Sequence, residues 1–263
     1  MNDIKYVYPL LQRQGIGNLL FPWARAVVYS RKVGVPIIAP HWARLTRIGP
    51  WLRGERYKRY YGGDFTNNGY IKGLRKWWLL HFKRNQIFIE QGMKDRFLPF
   101  IEYQFEVKKE LYSIVNPEII QRSEEIRGND GGNYVAVHVR RGDFNQVGRR
   151  TEDEWFVRAL STALELNEAK SCSAIRVFSD GYPEELRFLL ERFTTERIVV
   201  MPKAPAIQDI LMLSNAKVLV CSPRSTFSMW GVFLGQMPSV WREGTGLVPP
   251  ELYTARSKMI LVR

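Results

Sequence analysis

YVAVHVRRGD (residues 134–143) is a run of apolar and β-branched residues that ends in two arginines, a glycine and an aspartate. With only His138 polar before the arginines, the run reads as a strand buried on both faces, the pattern of a parallel sheet covered by helices. Side chains alternate along a strand, so His138 and Arg140 share one face while Val137, Val139 and Arg141 share the other. The pattern repeats downstream. TEDE (151–154) predicts a capping box opening a helix on which Trp155, Phe156, Ala159, Leu160, Ala163 and Leu164 form one face. AIRVFSD (174–180) is a second strand, and Pro183 suits the first position of a helix PEELRFLLERF. RIVVM is a strand, AIQDILMLSNA a helix and KVLVCS (217–222) another strand. Such alternation on short loops predicts an open α/β sheet with helices on its faces.

Upstream, residues 4–11 (IKYVYPLL) read as a strand, followed by Gly15-Ile16-Gly17-Asn18 and a helix over LLFPWARAVVYSRKV that Gly34 would cap. VPIIAP then reads as a short strand, completing a βαβ unit with parallel pairing. From Trp42 to Gly73 the pattern dissolves into glycine, aromatic and basic residues. A helix over 74–84, a strand IFIEQG and a helix over 117–127 follow, ending at the linker-like cluster GNDGG (128–132). The expected organisation is an N-terminal α/β domain over 1–130 and a C-terminal α/β domain over 131–263.

Composition sets the class. The chain has 263 residues, 45% hydrophobic and 25% charged, as globular proteins do. No apolar stretch approaches the ~18 residues of a membrane-spanning helix, and MNDIKYVYPLLQRQG does not resemble a secretory signal. Two cysteines, Cys172 and Cys221, build neither a disulfide framework nor a metal cage. A reducing cytoplasmic setting is expected. The net charge of +13 is uneven, because residues 1–130 hold 22 basic against 12 acidic groups and residues 131–263 hold 17 against 14. Within 42–84 there are 11 Lys and Arg, only Glu55 and Asp64 as acids, and ten aromatics. Such a field attracts an anionic partner: nucleic acid, a lipid headgroup, or a phosphorylated or acidic glycan. Single-stranded nucleic acid suits basic residues interleaved with rings. The excess, however, lies in the half without strand-end motifs, and no nucleic-acid module is present. Residues 42–84 are expected to face the inner surface of a membrane or an anionic lipid-linked acceptor, with a solvated basic face over an aromatic core as the plain alternative.

Ligands of open α/β sheets bind at the carboxyl ends of the strands, and three polar clusters stand there. In His138-Val139-Arg140-Arg141-Gly142-Asp143, a guanidinium fork matches phosphate oxygens, and Asp143 could hold one arginine in place. A plain Arg–Asp strand-end pair is the competing explanation. Ser179-Asp180 could accept hydrogen bonds from a ribose or purine, or could simply cap the next helix. Ser222-Pro223-Arg224-Ser225-Thr226-Phe227-Ser228 precedes MWGVFLG, so its hydroxyls and backbone N–H groups would open a helix, either as an anion site or as an ordinary serine cap. In the first half, Gly15-Ile16-Gly17-Asn18 fails the dinucleotide fingerprint because Leu20 replaces the third glycine.

These residues resemble the fucosyltransferase superfamily with the HxRRxD signature, and most closely the family 11 glycosyltransferases, the α-1,2-fucosyltransferases. HVRRGDF is similar to that family's first motif, VFSD to its second, SPRSTFSMWGVFLG to its SSFSWWGA segment and GIGNLLFPWARA to its GLGNQLFQYAFA opening. The resemblance implies a GT-B fold, in which two Rossmann-like α/β domains face each other across a cleft, with acceptor residues on the N-terminal side and donor residues on the C-terminal side. It also implies a GDP-fucose donor, a glycan acceptor of the surface-polysaccharide or lipid-linked type, an inverting mechanism and no obligatory metal. By position, Arg140 and Arg141 would hold the diphosphate, His138 would lie beside the nucleotide, and Asp180 would contact guanine or ribose. Ser225, Thr226 and Ser228 would meet the phosphates, and Gly15, Gly17 and Asn18 the sugar or the acceptor. The chain departs from the pattern at Leu19, Pro22, Trp23 and Met229, which leaves open another NDP-sugar donor or a sugar-nucleotide-binding protein without turnover. No DxD sequence is present. Arg140 and Asp143 are the candidate catalytic pair, with His41 and Asp64 as further candidate bases.

Overall fold

A computed structural model describes residues 3–42, 61–128, 132–142, 148, 150–194, 198–245, 252 and 257–263. Those residues fall into two units, one reaching Ile120 and one from Gln121 onward, a division inside the helix Pro117–Gly128 and upstream of the GNDGG cluster. Asp143, and residues 43–60 of the basic excursion, lie outside the described residues.

In the first unit, β1 (Tyr6–Leu10) is joined by α1 (Ile16–Val33) and later elements to a parallel partner. α1 buries Leu20, Phe21, Trp23 and Ala24, and ends where Gly34 takes φ 74° and its N–H reaches the Ser30 carbonyl. VPIIAP forms no strand. Its residues make only isolated bridges, Val7 with Ile37 and Ile38 with Ile71, because Pro36 and Pro40 remove the donors a ladder needs. α2 (Gly73–Phe82) follows, and β2 (Ile87–Gln91) pairs with β1 in parallel, Val7 opposite Phe88. Buried Arg25 of α1 fixes the chain after β2. Its Nε pairs with Glu90 at 2.7 Å, and its other nitrogens donate to the carbonyls of Gln91, Gly92 and Lys94. α3 (Gln104–Ile114), unassigned from sequence, buries Val107, Leu111 and Ile114, and α4 is the helix Pro117–Gly128.

The second unit carries β3 (Tyr134–Val139), α5 (Asp153–Glu165), β4 (Ala174–Ser179), α6 (Arg187–Arg192), β5 (Ile198–Val200), α7 (Ala206–Ser214), β6 (Val218–Val220), α8 (Thr226–Gly235), β7 (Ser239–Arg242) and β8 (Met259–Val262). Its sheet runs in the order β5-β4-β3-β6-β7-β8 with every neighbour parallel. Strand order reverses between β3 and β6, so their carboxyl ends form the switch point where such sheets bind ligands. Val135, Val137 and Val139 pack with Trp155, Phe156 and Leu160 of α5, while the Tyr134 hydroxyl donates to the Met212 carbonyl of α7. The two faces of β3 are thus the two predicted by alternation. The capping box expected at 151–154 does not form: the N-cap is Glu152, without a side-chain cap. Pro183 does open a helical turn, of 3₁₀ type over Pro183–Leu186, ahead of α6. Among the described residues no helix is long and apolar enough to cross a membrane, and both cysteines are unpaired.

α7 and α8 touch through two glycines. A Cβ on Gly235 would stand 2.2 Å from the Ser214 carbonyl oxygen, and one on Gly231 would stand 3.0 Å from the Leu213 Cβ. Backbone cannot yield as a side chain can, so Gly235→Ala should destabilise the chain by about 1–3 kcal/mol and Gly231→Ala by less. Urea denaturation midpoints check the order of the two.

Candidate active site

The end of β3 is tied to the end of β4 by one carboxylate. Asp180 Oδ1 accepts the backbone N–H of Arg141 at 2.7 Å and of Gly142 at 3.1 Å, and Oδ2 meets Arg140 Nη1 at 2.6 Å. Ser179 Oγ donates to the Val139 carbonyl at 2.7 Å and accepts the Gly181 N–H at 3.0 Å. The two chains approach so closely that only glycine fits at two positions. A Cβ on Gly142 would lie 2.3 Å from Asp180 Oδ2, and one on Gly181 would lie 2.8 Å from Arg141 Cγ. Asp180 is not a helix cap. Tyr182 fills that place, its N–H donating to Glu185 at 2.8 Å.

The two arginines part company at this clamp. Arg140, 28% exposed, stays at the surface beside Asp180. Arg141 is fully buried on the α5 face, where Nη1 donates to the Thr151 carbonyl at 2.7 Å and Nη2 pairs with Asp153. Its guanidinium lies over the rings of Phe156 and Phe188, 5.5 and 5.3 Å from their centroids. Burial lowers its pKa and Asp153 opposes that. Two diphosphate-binding guanidiniums were expected here. Arg141 is spent inside, holding the first turn of α5, and of the two only Arg140 reaches the surface.

His138 is buried on the opposite face. Its Nδ1 stands 2.6 Å from Ser228 Oγ, which accepts the Ser222 N–H at 3.2 Å, and its ring lies against Phe227. Burial, and then the charge of Arg140, push its pKa down to about 3, so the imidazole is neutral. The Arg140 N–H donates to Ser222 Oγ at 3.1 Å. These bonds join β3 to β6 across the switch point. Ser225 caps α8 by position, but its hydroxyl makes no cap hydrogen bond, and Thr226 opens the helix.

Sequence reasoning missed an arginine-lined cleft of about 330 Å³ beside this point, bounded by Arg150, Thr151, Arg224, Arg242 and Thr245. Arg242 pairs with Glu152 at 2.5 Å and Arg150 with Asp153 at 3.3 Å, whereas Arg224 has no ion-pair partner among the described residues. Arg224 also holds φ 59°, at the third place of a turn closed by Ser225 N–H to the Ser222 carbonyl. Pro223 suits the second place of such a turn, and the third normally belongs to glycine or asparagine. Pro223 was the available signal; Arg242 could not be found without the strand that carries it.

Gly15, Gly17 and Asn18 lie in the first unit, where β1 leads into α1. Gly15 is the α1 N-cap at φ −66°, and the space into which a Cβ would point is open, so neither its backbone angle nor its surroundings within the unit demand glycine. The Asn18 N–H donates to the Gly15 carbonyl at 2.9 Å, and the Ile16 N–H donates to the Tyr61 hydroxyl at 3.1 Å. Of the further base candidates, His41 is exposed, and burial pushes the Asp64 carboxyl up to about 6.

Residues 70–255 match the model of glycosyl transferase family 11. A Caenorhabditis elegans protein named as a galactoside 2-alpha-L-fucosyltransferase, svh-11, is 29% identical over 137 residues, 47% of this chain and 37% of the relative. The match thus spans little more than a third of that relative's length. The α-1,6-fucosyltransferase NodZ soaked with GDP-fucose superposes with a TM-score of 0.55 at 14% identity, over 92% of this chain and 96% of its own. POFUT1 in complex with GDP-fucose gives 0.59 at 10% identity, over 99% and 98%. At such identities the likeness is one of fold, the parallel-sheet α/β architecture of GT-B type. The family match, by contrast, is one of sequence and takes in β3, the Asp180 clamp and α8: the chain belongs to glycosyl transferase family 11.

Proposed function

We propose that this chain is an inverting fucosyltransferase that moves fucose from GDP-fucose to a hydroxyl of a glycan acceptor, forming an α-1,2 linkage without a metal ion. Family membership and the 2-fucosyltransferase name of the relative support the reaction class, and the GDP-fucose complexes of POFUT1 and NodZ support the donor. The observation that carries the reading is Arg140, held by Asp180 at the switch point, where its own N–H meets Ser222 Oγ at the start of the turn that leads into α8.

Transfer breaks the bond between the sugar C1 and the β-phosphate oxygen while the acceptor oxygen attacks C1 from the opposite side. The acceptor proton passes to a base, and the departing diphosphate gains negative charge. Positioned cations and helix N–H groups stabilise that charge most as it develops. Arg140 does so here, with Ser225 and Thr226 donating to phosphate oxygens. Neutral His138 supplies no proton; it sets the floor of the site through Ser228. Asp180 acts by aiming Arg140 and the backbone after β3. Gly15, Gly17 and Asn18 serve the sugar or acceptor. Asp143 is the base candidate beside Arg140, and His41 and Asp64 are the competing ones.

Arg140→Ala should cut turnover of GDP-fucose by about 10²-fold or more while leaving the protein folded, its melting temperature lowered by only a few degrees because Asp180 keeps the backbone N–H groups of Arg141 and Gly142. Wild-type rates in that variant would overturn the reading. Arg141→Ala should instead unfold the protein at lower denaturant, since it strips Asp153 and Thr151 of a buried partner.

Arg224→Gly should separate stability from binding. Relief of the left-handed backbone adds about 1 kcal/mol of stability, while loss of the guanidinium weakens GDP binding several-fold, as read by calorimetry beside thermal melts. The base is distinguished by pH. With its carboxyl at about 6, Asp64 is ionised and able to accept a proton only above that value. If it is the base, kcat/KM rises through pH 6 and Asp64→Asn loses both that limb and most of the activity; if Asp143 is, Asp64→Asn leaves the profile unchanged and activity is lost in Asp143→Asn.

A further inference from the structure

α2 wears its apolar stripe on the outside. Leu74, Trp77, Trp78, His81 and Phe82 recur at the spacing of one helical face. In the folded unit Leu74 is 86% exposed, Trp77 54%, Trp78 45% and Phe82 62%. The inward face holds Leu79 and a lysine. Lys76 is buried with its amine 5.7 Å from the centre of the Tyr8 ring, and burial lowers its pKa to about 8. The outer rings rest on one another, Trp77 on His81 at 4.7 Å and on Phe82 at 5.7 Å, with Lys83 over Trp78 at 5.4 Å.

We propose that this face of α2 docks on an anionic lipid bilayer, with the helix lying in the plane of the headgroups. The charge around the stripe selects that occupant. Residues 65–89 contain no Asp or Glu, while Lys72, Arg75, Lys83 and Arg84 flank the aromatic face. Trp and Phe on one side with basic residues at the margins is the composition of helices that insert shallowly at a membrane surface. Each flanking cation adds attraction to anionic headgroups within a Debye length. At ten residues α2 is too short to cross a bilayer, so it lies along it. This docking is independent of the reaction proposed above.

The test is sedimentation of the whole chain with vesicles of phosphatidylcholine alone or mixed with phosphatidylglycerol, at low and high salt. The chain should pellet with the mixed vesicles, with a blue shift of tryptophan emission, and Trp77→Ser/Trp78→Ser should lower the partition coefficient about tenfold. That double variant should melt as the wild type does, because neither ring is part of the core. Equal binding by the variant would mean that net charge alone attracts the chain, and would overturn the proposal. So would an absence of wild-type binding, or a concentration-dependent dimer that the variant abolishes without any vesicle binding.

Discussion

Three donors converge on the carboxylate of Asp180, and the rest of the site depends on that convergence. Two are the backbone N–H groups of Arg141 and Gly142, and the third is the Arg140 guanidinium. Hydrogen bonds to a charged group contribute about 1.5–3 kcal/mol each, more than the clamp loses by using conformationally free glycines at 142 and 181. Those bonds set the direction in which the chain leaves β3. They therefore decide that Arg140 stays on the solvent side and that Arg141 turns under the sheet. A carboxylate that reads as a nucleoside contact from its place in the sequence is first a piece of architecture.

The clamp also explains why adjacent arginines have opposite fates. A buried guanidinium is tolerable only where its donors find acceptors, and Arg141 finds the Thr151 carbonyl and Asp153. The helix beyond starts from Glu152 and not from the expected Thr151. Arg224 shows the reverse allocation. It sits in an unfavourable backbone region with no ion-pair partner among the described residues to compensate, an arrangement that stability alone does not select. The buried guanidinium of Arg141 spends both terminal nitrogens on the protein and leaves only Nε without an acceptor, while Arg224 stays at the surface with its charge unpaired among the described residues.

Much of the second unit was legible because its central strands are largely apolar and β-branched, with only His138, Arg176 and the terminal Ser179 polar: Tyr134–Val139, Ala174–Ser179 and Val218–Val220 each sit between turn residues. β7 and β8 were not, since each has four residues and carries an arginine or an exposed leucine. Without them the six-strand order, and with it the arginine-lined cleft, could not be drawn. VPIIAP misled in the other direction, its apolar residues masking two prolines that cannot donate. Alternation along β3 correctly separated Arg140 from Arg141, yet gave no sign of which face is filled by protein. That depends on Phe156, Phe188 and Asp153, all distant in sequence from Arg141 or on another element.

The same limit governs α2. Spacing of Leu74, Trp77, Trp78, His81 and Phe82 announces a single face, and the ordinary inference is that such a face points inward. Periodicity fixes the angle of a stripe but not its sign; the sign is set by what the neighbouring elements offer. Here Tyr8, Ile38, Ile71 and Ile87 already fill their layer around Leu79, and the remaining inward place goes to Lys76 with its amine over an aromatic ring. Burying a large apolar side chain is worth about 1.5–3 kcal/mol, so four left in water represent a sizeable stabilisation that folding leaves unused. Because α2 already has its helical form, little ordering entropy opposes release of that free energy at an apolar surface. A helix that hides a lysine and exposes two tryptophans is shaped by the contact it makes outside its own unit.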